Sequence, residues 1–369
     1  MVRSEWVLIS LNLYHIFLMK FTKQADRIKL TTMIERRRGD RNMKKYMYVI
    51  MGLVFVSLGY LIFVSASIVF SDDIALPKAK KQSDTRFRLV LITRDMDTAF
   101  WNKVSTGASR QALKEGASLE VWGSYSNDSE QFLKQFELAI HSKVDGIIIQ
   151  GLDTDEFKEL TKVKAAFNGI PIITVANDVP MKESLRRTYV GSDQFRAGGL
   201  IARQLLSDMG TEGKVILLAD KQNEYYQKER LKGIYATLKM YPQIKIQYAE
   251  TGESKDQVIT TMRDQLNKVP DVDGFIAVNA KMIGPMVQEI GNRFQVEPYF
   301  IYTFDEGPES LLLFEDGKID GVVEQDPETM GEISVEQIIN WLNGKTVPLD
   351  SNGYFTNIRM LKDNRNEEH

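Results

Sequence analysis

Residues 87–101 read FRLVLITRDMDTAFW, and the fold turns on how the run 89–93 is taken. It is apolar without alternation, which is the pattern of a parallel strand covered on both faces. The loop that follows is acidic and hands over to a helix expected across 100–115, with Phe100 and Trp101 at its mouth. In open parallel sheets the loops at the C-terminal ends of the strands hold ligands. Flat aromatic faces suit the apolar C–H faces of a sugar ring, and a rigid side chain loses little entropy on binding. The competing reading makes one of the pair the first core residue of the helix.

The same unit recurs downstream. Strands are expected at 119–124, 146–150, 170–176 and 188–193, with helices at 128–141 (capped by Asn127 or Asp128), 155–167 and 195–209. A second series follows, with strands at 214–220, 245–250, 274–279, 299–305 and 321–325. Its helices are expected at 224–240, 255–266, 282–291 and 328–341, and an extended piece covers 354–360. Strand–helix alternation of this kind builds parallel sheets, and two similar series in tandem suggest duplication of one unit.

The chain has 369 residues, enough for two domains, and a formal charge of −3 with acids and bases interspersed. That balance argues against a nucleic-acid footprint. There is no cysteine, so disulfides, thiol nucleophiles, zinc–thiolate sites and a lipidated cysteine are excluded. The three histidines, His15, His141 and His369, are too scattered for a metal site or a catalytic triad. No cofactor motif is present.

The first 45 residues are basic, with Arg36, Arg37, Arg38, Lys44 and Lys45, and are expected to be cytoplasmic; Met33 and Met43 are alternative starts. Residues 46–70 carry no charge, and a helix of that length covers roughly 37 Å against a hydrocarbon core of ~30 Å. Lysines before it and Asp72 and Asp73 after it orient the remainder outside the cytoplasm. A retained single-pass anchor in the cell membrane is favoured over a cleaved signal peptide ending near Ala66. Residues 71–86 read as a stalk, and 361–369 as a tail.

The motifs AFW, GIIIQG, PIITV, YVGSDQFRAGG, KVILL, ERLKG, VNAK, YTFDEGPE and GVVEQDPETMG, in that order over 87–360, resemble the type I periplasmic sugar-binding proteins, the ribose- and galactose-binding group. The resemblance implies an α/β protein of two doubly wound parallel-sheet lobes joined by a hinge of three strand crossovers, here preceded by one transmembrane helix. Lobe 1 would be 87–191 completed by 326–345, and lobe 2 would be 192–325 completed by 346–360. The crossings would fall near Ser192, Gln325 and Thr346.

The ligand implied is a sugar or related polyol held between the lobes. Phe100 and Trp101 fall where the family stacks a ring, with Asp97 and Thr98 as neighbouring acceptors. Arg230 occupies the family's arginine position, and Asn279, Asp305 and Gln325 the remaining polar positions. Each has a bland alternative: Arg230 on a solvated helix face, Asp305 and Asn279 as helix caps, Gln325 as a hinge residue only. The family often has an acid just after the fourth strand, whereas this chain has Ala176, Asn177 and Asp178, so both Asn177 and Asp178 are candidates. Ala280 and Ala99 are further departures.

The partner implied is the permease of an ATP-driven importer or a sensor histidine kinase, with no catalysis. Two other functions were weighed. A glycosidase would draw a carboxylate pair from Asp97, Asp178 and Asp305, but no nucleophile motif or phosphate loop accompanies them. A transcription repressor would need a helix-turn-helix where the apolar span stands.

Overall fold

The computed structural model describes residues 50–60, 86–125, 127–221, 224–252, 254–293, 299–305 and 307–362. The chain divides into Met1–Ser83 and Asp84–His369. In the first part residues 50–60 are helical and exposed. The remainder of the 46–70 run, the basic segment, most of the stalk and the tail beyond 362 lie outside the described residues. Among the described residues no helix is long and apolar enough to cross a membrane.

The second part opens with β1 (Arg88–Thr93), α1 (Ala99–Lys114), β2 (Ser118–Gly123), α2 (Ser129–His141) and β3 (Gly146–Gln150). It continues with α3 (Asp155–Glu159), β4 (Ile172–Val175), α4 (Met181–Ser184) and β5 (Thr188–Gly191). The helix expected over 155–167 changes pitch, because α3 passes into a π-turn at Leu160–Ala165. Next come α5 (Gln194–Met209), β6 (Gly213–Asp220), α6 (Tyr225–Leu238), β7 (Ile244–Thr251), α7 (Lys255–Lys268), β8 (Gly274–Ala277) and α8 (Ile283–Arg293). The last elements are β9 (Phe300–Phe304), α9 (Pro308–Glu315), β10 (Gly321–Gln325), α10 (Pro327–Leu342), β11 (Tyr354–Phe355) and β12 (Ile358–Lys362).

Two six-stranded sheets result, ordered β11-β5-β4-β3-β1-β2 and β12-β10-β9-β8-β6-β7. All pairings are parallel except that of β12 with β10. Each sheet is buried on both faces, which explains the unalternating strands. In β1, Leu89 and Leu91 enter a core with Val104, Ile148 and Ile338, while Val90 and Ile92 enter one with Phe132, Phe136 and Phe157 on the opposite face.

The two lobes share more than strand order. Lobe 1 packs α1 on α10, and lobe 2 packs α6 on α5. At each contact two glycines let the backbones touch. A Cβ on Gly107 would lie 2.0 Å from the carbonyl oxygen of Glu328, and one on Gly331 2.0 Å from that of Val104. In lobe 2, Gly198 and Gly233 stand equally close to the carbonyls of Arg230 and Phe195. Gly331 and Gly198 are each the fifth residue of their helix, and Gly107 and Gly233 each the ninth. This is a repeat that sequence comparison of the halves leaves invisible.

The hinge differs from expectation at one crossing. The first two lie at Ser192–Asp193 and Asp326, between β5 and α5 and between β10 and α10. The third lies at residues 356–357, not near Thr346, because the segment after α10 stays with lobe 1. Leu349 is in the lobe 1 core, Thr188 and Arg186 donate to the carbonyls of Asp350 and Ser351, and Tyr354 pairs with Val190. The extended piece 354–360 is therefore two strands serving different lobes.

Gly107→Ala and Gly233→Ala should each force a helix pair apart and cost about 1–3 kcal/mol by urea unfolding. Gly291→Ala, inside α8 with open space around its Cα, should be neutral or slightly stabilising.

Candidate functional site

The C-terminal ends of the strands of both sheets face a cavity of about 340 Å³. On the lobe 1 side the chain leaving β1 is fixed by Gln150, the last residue of β3. Its Oε1 accepts from Thr93 Oγ1 at 3.0 Å and from the backbone N–H of Arg94 at 2.8 Å. Arg94, Asp95, Thr98, Phe100 and Trp101 thereby line the cavity. Thr98 is the cap of α1, accepting from the Trp101 N–H.

The aromatic pair divides. Phe100 is half-buried, and the two rings meet edge to face at 5.6 Å. Trp101 is 5 % exposed and is part of the core beneath α1 as well as of the cavity lining. Of the two readings weighed for the pair, Trp101 fits both. Asp97 is exposed and does not line the cavity.

The loop after β4 separates Asn177 from Asp178. Ala176 takes φ of 63°, and Asn177 lines the cavity. Asp178 turns away into a buried pair with Arg186, at 2.6 and 2.7 Å, and accepts from Thr174 at 2.6 Å. Both its oxygens are committed, so it stands outside the cavity lining.

The lobe 2 wall is built on Arg230, 1 % exposed. Its Nη1 and Nη2 donate to the two oxygens of Asp305 at 2.8 and 2.7 Å, its Nη1 also to Val278 O at 2.8 Å, and its Nε to Gln194 Oε1 at 2.7 Å. The guanidinium lies 4.4 Å from the Phe304 ring centroid and 5.0 Å from that of Tyr226. Arg230 is thus not on a solvated face. Asp305 does not cap α9, whose cap is Gly307; it adopts φ of 68° and also accepts from Gln325. Gln325 in turn accepts from Gln194 at 3.3 Å. Asn279 plays two parts, capping the turn Ala280–Met282 through the Lys281 N–H at 2.9 Å and donating to Asp220 at 3.0 Å.

Residues that sequence reasoning missed complete the walls: Arg94, Asp95, Gln150, Gln194, Asp220, Glu224 and Tyr226. Gln150 and Asp220 end strands, and the strand-end rule alone would have found them. Glu224 left no such signal. It caps no backbone group, yet its carboxylate reaches across the cleft to Arg94 Nη2 at 2.6 Å and Asn177 Nδ2 at 3.2 Å. Burial raises its pKa against the opposing pull of Arg94, and the carboxylates of Asp220 and Asp95 add to the rise. Among the described residues no group of acids and histidines is placed to hold a metal.

A family model described as the periplasmic binding protein domain matches residues 89–346. The ribose import binding protein of Bacillus subtilis (strain 168) is 24% identical over 262 residues, 71% of this chain and 83% of the relative. The xylitol-binding protein of Mycolicibacterium smegmatis is 26% identical over 202 residues, 54% of this chain and 56% of the relative. A solved glucose-galactose binding protein from Geobacillus stearothermophilus superposes with a TM-score of 0.69 at 27% identity, covering 75% of this chain and 97% of that one. The XylFII-LytSN complex gives 0.64 at 24%, covering 74% and 97%, which speaks to the fold alone.

Arg94→Leu should leave Glu224 as a buried carboxylate without its cation and destabilise by about 3–5 kcal/mol at neutral pH. Because the folded pKa of Glu224 lies above its unfolded value, its proton-linked stabilisation is full below the unfolded value and lost as pH rises through the folded one. The deficit of the variant, read from unfolding midpoints, should therefore narrow as pH falls toward the carboxylate range.

Proposed function

The chain belongs to the periplasmic binding protein domain family, and from that premise we propose that its second part is an extracytoplasmic receptor that closes over a sugar or related polyol. The observation that carries the reading is the convergence, in one cavity, of polar strand ends from both lobes beside the half-buried ring of Phe100. A sugar offers vicinal hydroxyls that donate and accept together, so amides and carboxylates suit it, and a hydrogen bond to a charged partner contributes about 1.5–3 kcal/mol. The volume sits at the small end of the range for ligand pockets, as a monosaccharide requires. Ligand contacts are assigned to Thr98, Phe100, Trp101, Asn177, Arg230, Asn279, Asp305 and Gln325, with Arg94, Gln150 and Glu224 added.

Binding alone is the proposed activity. Of the carboxylates weighed for a glycosidase pair, Asp178 is committed to Arg186 and Asp305 to Arg230, and Asp97 lies outside the cavity lining. Closure then reports occupancy, because a ligand touching both lobes favours the state in which they meet. The relative from Bacillus subtilis is named for ribose import, which supports delivery to the permease of an ATP-driven importer. A retained anchor over 46–70 would hold the receptor beside membrane partners and favours the alternative listener, a sensor histidine kinase.

The test is a thermal-shift screen of the purified chain against pentoses, hexoses, disaccharides, polyols and the bacterial signalling furanosyl diester. A ligand at a hundredfold excess over its Kd should stabilise by ~2.7 kcal/mol; a flat response across the panel from folded protein would refute the sugar reading. Phe100→Ala should then weaken binding by about 1–2 kcal/mol with the fold intact. Trp101→Ala, by contrast, should lower stability itself by about 3–5 kcal/mol.

A further inference from the structure

Beside the first hinge crossing lies a second, smaller cavity of about 140 Å³. Tyr189, Asn352 and Phe355 form its lobe 1 side, Ser192 and Asp193 the hinge side, and Phe195, Tyr225, Tyr226 and Glu229 its lobe 2 side. Five of its lining residues are therefore aromatic, and the rings of Tyr189 and Phe355 meet at 6.3 Å and 65°. Three are carboxylates, Asp178, Asp193 and Glu229, and no lysine or arginine lines it among the described residues.

The carboxylates differ in what they have to spare. Asp178 is taken up by Arg186. Asp193 uses one oxygen to cap α5, and Glu229 uses one on the exposed Lys232 at 2.6 Å. A further feature calls for a ligand. Ser192, a lining residue 1 % exposed, has a buried Oγ with no hydrogen-bond partner among the described residues. A buried hydroxyl in that position costs free energy until something bonds to it. The Tyr225 hydroxyl has its pKa raised by burial first, then by Glu229 and Asp178, with Arg186 opposing.

Aromatic faces attract cations through the ring quadrupole, the carboxylates add charge, and a serine oxygen accepts an N–H. We propose that this hinge cavity is a second ligand site, selective for a small organic cation bearing an alkylammonium group. Its walls come from both lobes, so an occupant biases the hinge. Gln194 and Tyr226 line both cavities and form the partition between them. By linkage, an occupant at the hinge changes affinity in the cleft. The site itself does not rest on the sugar reading.

The probe is trimethylammonium chloride, titrated calorimetrically into the purified chain with sodium chloride at equal ionic strength as the reference. Saturable one-to-one heat is expected, weakened about tenfold or more in both Glu229→Gln and Tyr225→Leu. Melting curves establish that each variant is folded. Heat that does not exceed the sodium chloride reference overturns the proposal, as does wild-type affinity in either folded variant.

Discussion

The ion pair of the buried Arg230 with the partly exposed Asp305 is the interaction on which the rest of the cleft depends. A guanidinium 1 % exposed needs a carboxylate partner and further acceptors, and Arg230 donates four hydrogen bonds. Its acceptors come from the residue after β9 (Asp305), the residue after β8 (Val278) and the first turn of α5 (Gln194). The pair thus fixes three elements against α6. It also holds Asp305 at a φ of 68°, a conformation that costs a non-glycine residue on the order of 1–3 kcal/mol. Ala176, after the corresponding strand of lobe 1, takes φ of 63° without any such anchor.

That asymmetry is informative because the backbones of the lobes are so alike. The strand orders agree, and the crossing glycines occupy the same helical positions. What differs is the chemistry mounted on them. The third residue of α1 is Trp101, packed in an apolar core, and the third of α6 is Gln227, bonded to the carboxylate of Asp220. At this helical position lobe 1 places an aromatic side chain and lobe 2 a hydrogen-bonded amide. A polyhydroxylated ring has both kinds of surface, apolar above and below and polar at its rim.

Most of the fold was legible in the sequence because its determinants are local. Runs such as LVLI and IITV announce strands buried on both faces, and capping residues announce helix starts: Asp128 caps α2, one of the two residues expected there. The third hinge crossing was not legible, since two short strands serving different sheets look like one extended piece. In the site, Arg230 and Asp305 could be picked out singly, but their pairing joins residues 75 apart in sequence. Asp178, one of the two candidates after β4, turns to Arg186, eight residues on, a pairing that no sequence pattern marks. Glu224 was missed because its purpose appears only across the cleft, 130 residues away, at Arg94. Local chemistry is written in local sequence, whereas a contact between lobes exists only once both lobes do.

The hinge crossings are tied into the same network of contacts. Two of its crossings are followed at once by aspartate caps, Asp193 on α5 and Asp326 on α10. Each helix is therefore capped almost at once after its strand, with Ser192 alone between β5 and its cap and no residue between β10 and its cap. At the third crossing Thr356 N donates to Gly191 O at 2.9 Å, tying it to the first. Gln194 and Gln325 lie beside these joints and bond to each other at 3.3 Å, and both also bond to the Arg230–Asp305 pair. A ligand that draws on this pair pulls on two crossings at once. The residues assigned above to the ligand and those at the hinge are therefore one hydrogen-bonded unit, so on the proposed reading occupancy and lobe angle need no separate transmission path.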